Sequence, residues 1–447
     1  MMDLSSLQPV PVWRHFLALC QIPRASDNEG AVRDALSEWA RARGLGVVAD
    51  AAGNLVLSKP ATPGFEHRPG VVLQGHLDMV CQKHDSSTHD FGKDPIRPVL
   101  REGWVMAEAT TLGADNGIGV ALALAALEVD DLAHPALEVL LTVKEESGMH
   151  GALALRADAL KGRLLLNLDT EEWGEIYTGC AGSVDVIVDA SLPMEAFSPD
   201  LKPFTLRLSG LAGGHSGIDI HRGRGNAIKL LLRLLHELSR QGVAFHLVSM
   251  EGGTAHNAIP REAEASLLTA DIASLRAKAE TLADGLRVGL GEEDAGLRFD
   301  FGVPAHAPGA ALSAGFSRKL LTLLHDLPYG AHRMSEQMPG VVETSNNVGI
   351  LRLVDGHLRL NAMVRSLNEA GIRALAGEIV YLFTASGFDS ARIAGAGPCW
   401  TPNPRSKLLA LARNVYHRTF GGEDAKVQVI HAGLEYGVFS AIWPDMD

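Results

Sequence analysis

An imidazole and a carboxylate at the end of one apolar segment are the first residues of this sequence that could do chemistry. The segment VVLQGHLDM carries His76 and Asp78 directly after an apolar run, and alternate side chains of an extended chain share one face. A metal-binding imidazole can donate its second ring N–H to a carboxylate, which fixes the tautomer. The pair therefore predicts a metal-binding histidine held by Asp78, although the tripeptide alone also fits a polar turn.

Further carboxylates lie where other predicted elements begin or end. ALEVLLTVKEESG ends in Glu145 and Glu146, RLLLNLDT ends in Asp169, and Asp115 precedes an Ala/Leu-rich run typical of a buried helix. Open α/β sheets place their sites at the carboxyl ends of their strands. Taken alone, the glutamate pair is better explained as a solvated turn and Asp115 as a plain helix cap. Together with His76 they make a nitrogen and oxygen donor set that suits Zn²⁺, Co²⁺ or Mn²⁺.

This donor set favours hydrolysis with two metal ions. Asp115 at a helix start could offer one oxygen to each of two ions, while Glu145 is free to act as a general base. A bridged pair of ions lowers the pKa of a bound water, and a nearby carboxylate can take that proton and deliver it to a leaving amine. A hydrolase with a Ser/His/Asp triad is disfavoured because no GxSxG segment is present.

Composition limits the other classes of function. The chain has 447 residues, 46% of them hydrophobic and 21% charged, which predicts a folded soluble protein of two domains. Its net charge of −13 argues against nucleic acid and anionic membranes as partners. The four cysteines show no CxxC spacing, and we find neither a secretory signal nor an apolar run of about 18 residues. We therefore expect a cytoplasmic protein.

The order of the predicted elements indicates an inserted domain. Up to residue 183, strands alternate with helices, which is typical of an α/β domain with a largely parallel sheet. From residue 184 to 399 the strands look antiparallel, with two long helices between them and an Asp-Gly hairpin near residue 355. A Gly/Pro-rich passage then leads into 400–447, which we assign to the first domain.

Several longer motifs resemble a known enzyme family. GHLDMV, LGADNGIGVA, VKEESGMHGA and LLNLDTEE resemble the di-metal, lid-bearing aminoacylase/carboxypeptidase superfamily. GGHSGIDIHRGRGNA, GGTAHNAIPREA and IHAGLEYG resemble its aminoacyl-histidine dipeptidase branch, and the likeness runs from about residue 10 to the last residue. It implies a metallopeptidase catalytic domain made of both chain ends, with an α+β lid domain inserted between them.

The resemblance also implies two metal sites. His76, Asp115 and Asp169 would hold one ion, and Asp115 and Glu146 would hold the other. Members of the family continue to a histidine in a His-Ser-Pro-like turn that completes the second site, and the 447 residues stop before it. We therefore expect the second site to lack one family ligand. His431 is the nearest candidate substitute, although it has its own place in the family pattern.

Other residues take their roles from the same resemblance. Asp78 would orient the metal-binding histidine, and Glu145 would serve as base and then acid. His215 would stabilise the oxyanion, often from a partner subunit. Asn257 and Arg365 would hold the substrate, because an arginine can bind a terminal carboxylate through two hydrogen bonds.

The expected activity is hydrolysis of dipeptides, including Xaa-His, by a metal-activated water with Glu145 as general base. The expected cofactor is a pair of divalent ions, with zinc placed before cobalt or manganese. An N-acyl amino acid amidase on the same scaffold is one alternative, and a truncated, catalytically impaired metal-binding chain is another. The resemblance also implies a homodimer that forms through the lid domain.

Overall fold

The chain divides into two compact units. The computed structural model describes residue 4 and residues 7–303, 308–336 and 338–447. The first unit contains residues up to Thr178, Pro402–Gln428 and Glu435–Asp447, and the second contains Gly179–Thr401 and Val429–Leu434. The segment Val429–Leu434 thus joins the second unit, although it lies within the range that the sequence assigns to the catalytic domain.

The first part of the chain alternates helices with short strands. The elements up to residue 180 are α1 (Val10–Cys20), α2 (Gly30–Arg41), β1 (Gly46–Ala49), β2 (Leu55–Lys59), β3 (Val71–His76), β4 (Pro98–Arg101), β5 (Trp104–Ala107), α3 (Ala114–Glu128), β6 (Leu137–Thr142), α4 (His150–Leu153), β7 (Leu164–Asn167) and β8 (Glu175–Cys180).

The middle of the chain is richer in strands. Its elements are β9 (Gly182–Ser191), β10 (Met194–Glu195), β11 (Lys202–Ser209), β12 (Gly214–His215), α5 (Ala227–Arg240), β13 (His246–Gly252), β14 (Ala258–Ile259), β15 (Ala263–Thr269), α6 (Ile272–Val288), β16 (Arg298–Gly302), β17 (Ala311–Leu312), α7 (Ala314–Asp326), β18 (Gly330–Met334), β19 (Val342–Val354), β20 (His357–Ser366), α8 (Glu369–Ala385) and β21 (Arg392–Gly397). The last elements are α9 (Lys407–Thr419), β22 (Lys426–Ile430) and α10 (Glu435–Ile442).

A mixed sheet organises the first unit. Its strand order is β1-β2-β6-β3-β7. The strand β3 pairs in parallel with both β6 and β7, whereas β2 pairs antiparallel with β1 and β6. The strand β3 is therefore paired on both edges, which suits its continuous apolar run. The sheet is mixed rather than largely parallel, because the hairpin β1–β2 adds to it in the antiparallel direction.

The core of the first unit forms between this sheet and the helices α1, α2 and α3. The Ala/Leu-rich sequence of α3 buries side chains almost all round, as expected for a helix that is apolar on every face. Phe16 of α1, Leu57 of β2 and Leu124 of α3 belong to one buried cluster. These contacts fix the strands whose ends carry the predicted metal ligands.

The second unit is built on one large antiparallel sheet. Its strand order is β16-β11-β15-β13-β19-β20-β9-β21, with β18 also paired to β19. The long strands β19 and β20 form the predicted hairpin, and Asp355 and Gly356 between them both have positive φ. The alternating sequence from residue 184 therefore predicted the α+β character of this region correctly.

Amphipathic helices cover the apolar side of that sheet. Leu231 and Leu235 of α5 pack in one core cluster with Phe204 of β11 and Leu360 of β20. Across the described parts of the chain, we find no helix long and apolar enough to cross a membrane.

Asn226 caps α5 and also ties it to the sheet. Its side chain accepts a hydrogen bond from Lys229 N, and its amide donates to Asn347 Oδ1 at 2.9 Å and Val348 O at 3.0 Å. Asp271 caps α6 through Ser274 N but is exposed. The two caps differ mainly in the buried hydrogen bonds that Asn226 adds.

We predict that Asn226→Ala lowers the free energy of unfolding by about 3 kcal/mol, because it removes a cap and leaves buried acceptors unpaired. Asp271→Ala is the matched control and should cost only about 1 kcal/mol, the value of an exposed cap. Urea unfolding of the two variants measures the difference. Equal losses would show that the buried bonds of Asn226 contribute nothing.

Candidate metal centre

The first unit brings three strand ends to one edge of its sheet. In the parallel register His76 of β3 lies opposite Thr142 of β6, and Gln74 lies opposite Asn167 of β7. Residues 145–146 follow β6, and Asp169 follows β7. The carboxyl ends of parallel strands meet at the same edge, so the predicted ligands from separate parts of the sequence come together there.

His76, Asp115 and Glu146 form a group that fits a metal ion. One ligand atom from each lies within 4.8 Å of the other two. His76 Nε2 is 2.9 Å from Asp115 Oδ1 and 3.5 Å from Asp169 Oδ1. Glu146 Oε1 is buried and has no hydrogen-bond partner among the described residues. An imidazole nitrogen with carboxylate oxygens is a donor set for Zn²⁺ and similar divalent ions, so these residues fit such an ion.

The carboxylate of Asp78 supports this group. It is fully buried and accepts hydrogen bonds from Ser26 Oγ at 2.8 Å, Glu145 N at 3.0 Å and Glu146 N at 3.1 Å. Its Oδ1 lies 3.4 Å from His76 Nδ1. Burial opposes ionisation, but hydrogen bonds from His76 and Ser26 outweigh it and lower the pKa of Asp78. Asp78 is therefore a carboxylate at neutral pH.

Asn116 links the strand end of β3 to Asp169. Its amide donates to Leu168 O at 2.7 Å and to Asp169 Oδ1 at 2.6 Å, while its Oδ1 accepts from His76 N at 3.3 Å. A Cβ on Gly75 would overlap Asn116 Oδ1. The glycine in GHLDMV is thus required because the Asn116 amide occupies the space of a side chain.

Asp115 lies in a stretch of irregular backbone at the start of α3. Asp115 and Asn116 have non-helical dihedral angles, and the peptide bond between them is cis. Nearby, the buried guanidinium of Arg24 donates to the backbone carbonyls of residues 77–78, each at 2.9 Å, and to Gly113 O. Arg24 therefore ties the loop before Asp115 to the residues that follow His76.

Proximity of the acidic groups shifts their pKa values. Burial opposes protonation of His76, but hydrogen bonds with Asp115, Asp169 and Asp78 outweigh it and raise the pKa of His76 well above its usual range. Burial, with a contribution from Asp115, outweighs the opposing effect of His76 and raises the pKa of Asp169. In the metal-free protein this edge of the sheet therefore holds protons at neutral pH.

The two glutamates after β6 are shifted in the same direction. Burial, with a contribution from Glu435, Asp169 and Glu146, raises the pKa of Glu145 to about 8. Burial and Asp115 raise the pKa of Glu146 to about 7. A bound cation would oppose both shifts, since it stabilises nearby negative charge.

His215, predicted to stabilise an oxyanion, lies in the second unit. Its strand β12 pairs with β14, and its Nδ1 accepts hydrogen bonds from Gly217 N at 3.2 Å and Ile218 N at 3.1 Å. Burial and the nearby Arg365 lower the pKa of His215 to about 4. The ring is therefore neutral at pH 7 and carries its proton on Nε2, where it can serve as a hydrogen-bond donor.

Arg365 and Asn257 also belong to the second unit. Arg365 is 6% exposed and its Nε has no hydrogen-bond partner in the described part of the chain, while burial lowers its pKa to about 10. Asn257 is exposed, and its backbone carbonyl accepts a hydrogen bond from Ser216 N at 2.8 Å. Within the described residues, the Arg365 Nε therefore remains available to a substrate, and the Asn257 side chain is open to solvent.

His431, the candidate substitute ligand, contacts a residue of its own unit. Its Nε2 lies 2.7 Å from Ser345 Oγ, and burial lowers its pKa to about 3. It belongs to the second unit, whereas His76, Asp115 and Glu146 belong to the first.

Sequence reasoning missed four supporting residues. They are Arg24, Ser26, Asn116 and Glu435. Asn116 could have been suspected because it directly follows Asp115 in the same motif. Arg24 and Ser26 follow α1 in a short polar segment that shows no pattern pointing to the site. Glu435 lies 361 positions after its partner Gln74, so only the folded structure reveals the contact.

The chain is similar to known proteins, in one case over a single domain and in others over its full length. Residues 206–282 match the model of a peptidase dimerisation domain. The chain is 41% identical to the cytosol non-specific dipeptidase of Escherichia coli K12, over 100% of this chain and 92% of that protein. The crystal structure of aminoacylhistidine dipeptidase from Vibrio alginolyticus is 39% identical with a TM-score of 0.84, covering 100% of this chain and 90% of that one.

A more distant structure shares the fold alone. The M20 family metallo-carboxypeptidase Sso-CP2 from Sulfolobus solfataricus is 10% identical with a TM-score of 0.51, covering 98% of this chain and 90% of that one. The full-length likenesses and the donor group around His76 define the class as metal-dependent peptide-bond hydrolases. Within that class, the chain belongs to the cytosol non-specific dipeptidase family.

We predict that metal binding releases protons. In the metal-free protein His76 and part of the Glu146 population are protonated at pH 7, and ligands must lose their protons to bind a cation. Affinity should therefore rise between about pH 6 and pH 8, with about one to two protons released per ion near pH 7. Calorimetric titration of the metal-free protein with Zn²⁺ in buffers of different ionisation enthalpy measures this number. An affinity independent of pH would contradict the protonation of His76 and Glu146.

Proposed function

We propose that this protein hydrolyses dipeptides of broad sequence, Xaa-His among them, with two divalent metal ions. The observation that carries the proposal is the group of His76, Asp115 and Glu146, with Glu145 and Asp78 beside it. Residues 1–183 and 400–447 are proposed as the catalytic domain, and residues 184–399 as the lid and dimerisation domain. We favour zinc, with cobalt or manganese as alternatives.

His76, Asp115 and Asp169 would hold one ion, and Asp115 and Glu146 would hold the second. The close approach of Asp115 and Asp169 to the same imidazole nitrogen supports the first set. For the second ion we assign no third ligand from the described residues. When bound, the ions would lower the pKa of water and polarise the scissile carbonyl.

Glu145 is proposed as the general base and acid. Its backbone N–H donates a hydrogen bond to Asp78. Its side chain is not part of the ligand group that contains its neighbour Glu146. It would accept a proton from the attacking water and then pass it to the nitrogen of the leaving amino acid. A pKa near neutrality suits a group that must both accept and donate a proton.

His215, Asn257 and Arg365 are proposed to act on the substrate. A neutral His215 with its proton on Nε2 can donate to the developing oxyanion without carrying a charge. Arg365 keeps its charge, and its Nε has no hydrogen-bond partner among the described residues, so it can bind the carboxylate at the end of a dipeptide. Asn257 is exposed and can hydrogen-bond the peptide.

We also propose a cytoplasmic homodimer. The dimer is suggested by the match to a peptidase dimerisation domain, and the compartment by the name of the Escherichia coli relative. Small peptides are the proposed partners, and we expect no binding to nucleic acid or membranes because the chain carries a net charge of −13.

We predict that Glu145→Gln lowers kcat on an Xaa-His dipeptide by about 10² to 10⁴-fold, because the amide cannot take up a proton. Metal content by elemental analysis should be unchanged, since Glu145 is outside the proposed ligand sets. Chelation of the wild-type protein should abolish turnover. Undiminished activity after either treatment would overturn the proposal, and so would faster hydrolysis of an N-acetyl amino acid than of the dipeptide.

We predict that Arg365→Met lowers kcat/KM for a dipeptide by about 10 to 100-fold, the value of charge-assisted hydrogen bonds. A dipeptide amide has no terminal carboxylate, so its slower hydrolysis should be affected much less. Arg359→Met is the matched control, because Arg359 is an exposed residue of the same strand β20. Equal losses on dipeptide and amide would contradict the carboxylate-binding role.

A further inference from the structure

Glu435 is a buried carboxylate that the proposed reaction does not use. It is the first residue of α10 and is 1% exposed. Its Oε2 accepts hydrogen bonds from Gln74 Nε2 at 2.6 Å and from Thr142 Oγ1 at 2.8 Å. Its Oε1 is buried and has no hydrogen-bond partner among the described residues. One oxygen of this carboxylate therefore bridges two neighbouring strands of the sheet.

The two donors lie at the ends of the strands that carry the proposed ligands. Gln74 precedes His76 by two residues in β3, and Thr142 is the last residue of β6, opposite His76 in the register. The Gln74 side chain also accepts a hydrogen bond from Asn167 Nδ2 at 2.5 Å, and Asn167 Oδ1 accepts from Asp169 N at 3.2 Å. A continuous chain of hydrogen bonds thus joins Glu435 to all three strand ends.

Stability alone is a weak reason for a carboxylate at this position. Removing a carboxylate from water is costly, and apolar residues of similar size often replace buried charged groups without loss of stability. The rest of α10 supplies apolar side chains, among them the buried Phe439. A leucine at 435 would continue that pattern, but it could accept nothing from Gln74 or Thr142.

The carboxylate also influences the site through its charge. Glu435 contributes to the raised pKa of Glu145, and its own pKa is affected by His76 and Asp169. It therefore lies close enough to these groups for electrostatic interaction, without being one of the three residues that form the ligand group. Glu435 is therefore placed to support the proposed ligands without binding the ion itself.

We propose that Glu435 is a positioning residue of the metal centre. By accepting hydrogen bonds from Gln74 and Thr142, it fixes the ends of β3 and β6, and through Asn167 the end of β7, so that His76 and Asp169 face one ion. This inference deepens the proposed function, since it rests on the same metal centre. It concerns metal binding and is independent of which peptide is cleaved.

The test compares Glu435→Leu with Glu435→Gln. Leucine fills the space but accepts no hydrogen bond, whereas the glutamine carbonyl can accept both. We expect Glu435→Leu to weaken Zn²⁺ binding to the metal-free protein by about 10 to 100-fold, the usual effect of losing a group that orients ligands, and Glu435→Gln to stay within about threefold of the wild type. Calorimetric titration gives the affinities, and thermal unfolding of the metal-free proteins reports on stability separately.

Glu138→Leu is the matched control. Glu138 lies near the opposite end of β6, and its carboxylate also accepts two backbone hydrogen bonds, from Lys161 N at 2.9 Å and Gly162 N at 2.6 Å. Its loss should lower stability and leave Zn²⁺ affinity unchanged. Thr142→Val, which removes one donor to Glu435 with little change in shape, provides a second route to the same network and should also weaken Zn²⁺ binding.

Wild-type affinity in Glu435→Leu would overturn the inference, and so would an equal loss in Glu435→Gln. If Glu435→Leu does not fold, an unchanged affinity in Thr142→Val overturns it instead. These measurements need no peptide. A wild-type protein that binds Zn²⁺ but cleaves no dipeptide would therefore refute the proposed function and leave the role of Glu435 intact.

Discussion

The carboxylate of Asp78 holds the loop after β6 against the end of β3, and the geometry of the site depends on it. It accepts the backbone N–H groups of Glu145 and Glu146 together with the hydroxyl of Ser26, in a fully buried position. Hydrogen bonds to an ionised acceptor are stronger than neutral ones, and without this acceptor three donors would lose their partner. The same contact fixes the backbone between two adjacent glutamates, for which we propose separate roles.

A bound cation would account for the crowding of acidic groups at this edge. Glu145, Glu146 and Asp169 all have raised pKa values, since burial and mutual repulsion disfavour their ionised forms. A fold with no use for a cation would gain stability by replacing some of them with apolar residues. A divalent ion reverses the balance, because it turns repulsion between the carboxylates into attraction toward a shared charge. The unfavourable ionisation of these carboxylates without metal would thus be relieved when an ion binds.

Local patterns made much of the fold and part of the site predictable. The apolar run before His76, the alternation around the hairpin at Asp355 and the composition of α3 are properties of neighbouring residues, and each gave the correct element. The direction of strand pairing is not a local property, and the sheet of the first unit proved mixed. The hydrogen bonds of Arg24, Ser26 and Glu435 join distant parts of the chain, so no spacing or periodicity indicates them. Sequence could therefore indicate the proposed ligands but not the residues that hydrogen-bond around them.

Burial lowers the pKa of two side chains in the second unit, His215 and Arg365, but leaves them in different charge states at pH 7. It disfavours the charged form of both His215 and Arg365, and it lowers the pKa of each. The ordinary pKa of a guanidinium is so high that Arg365, at about 10, still carries its charge at pH 7. An imidazole starts near neutrality, so His215, at about 4, becomes a neutral donor. The same environment thus yields a permanent cation and an uncharged N–H donor, which suit the roles proposed for Arg365 and His215, and the difference comes from the residue types alone.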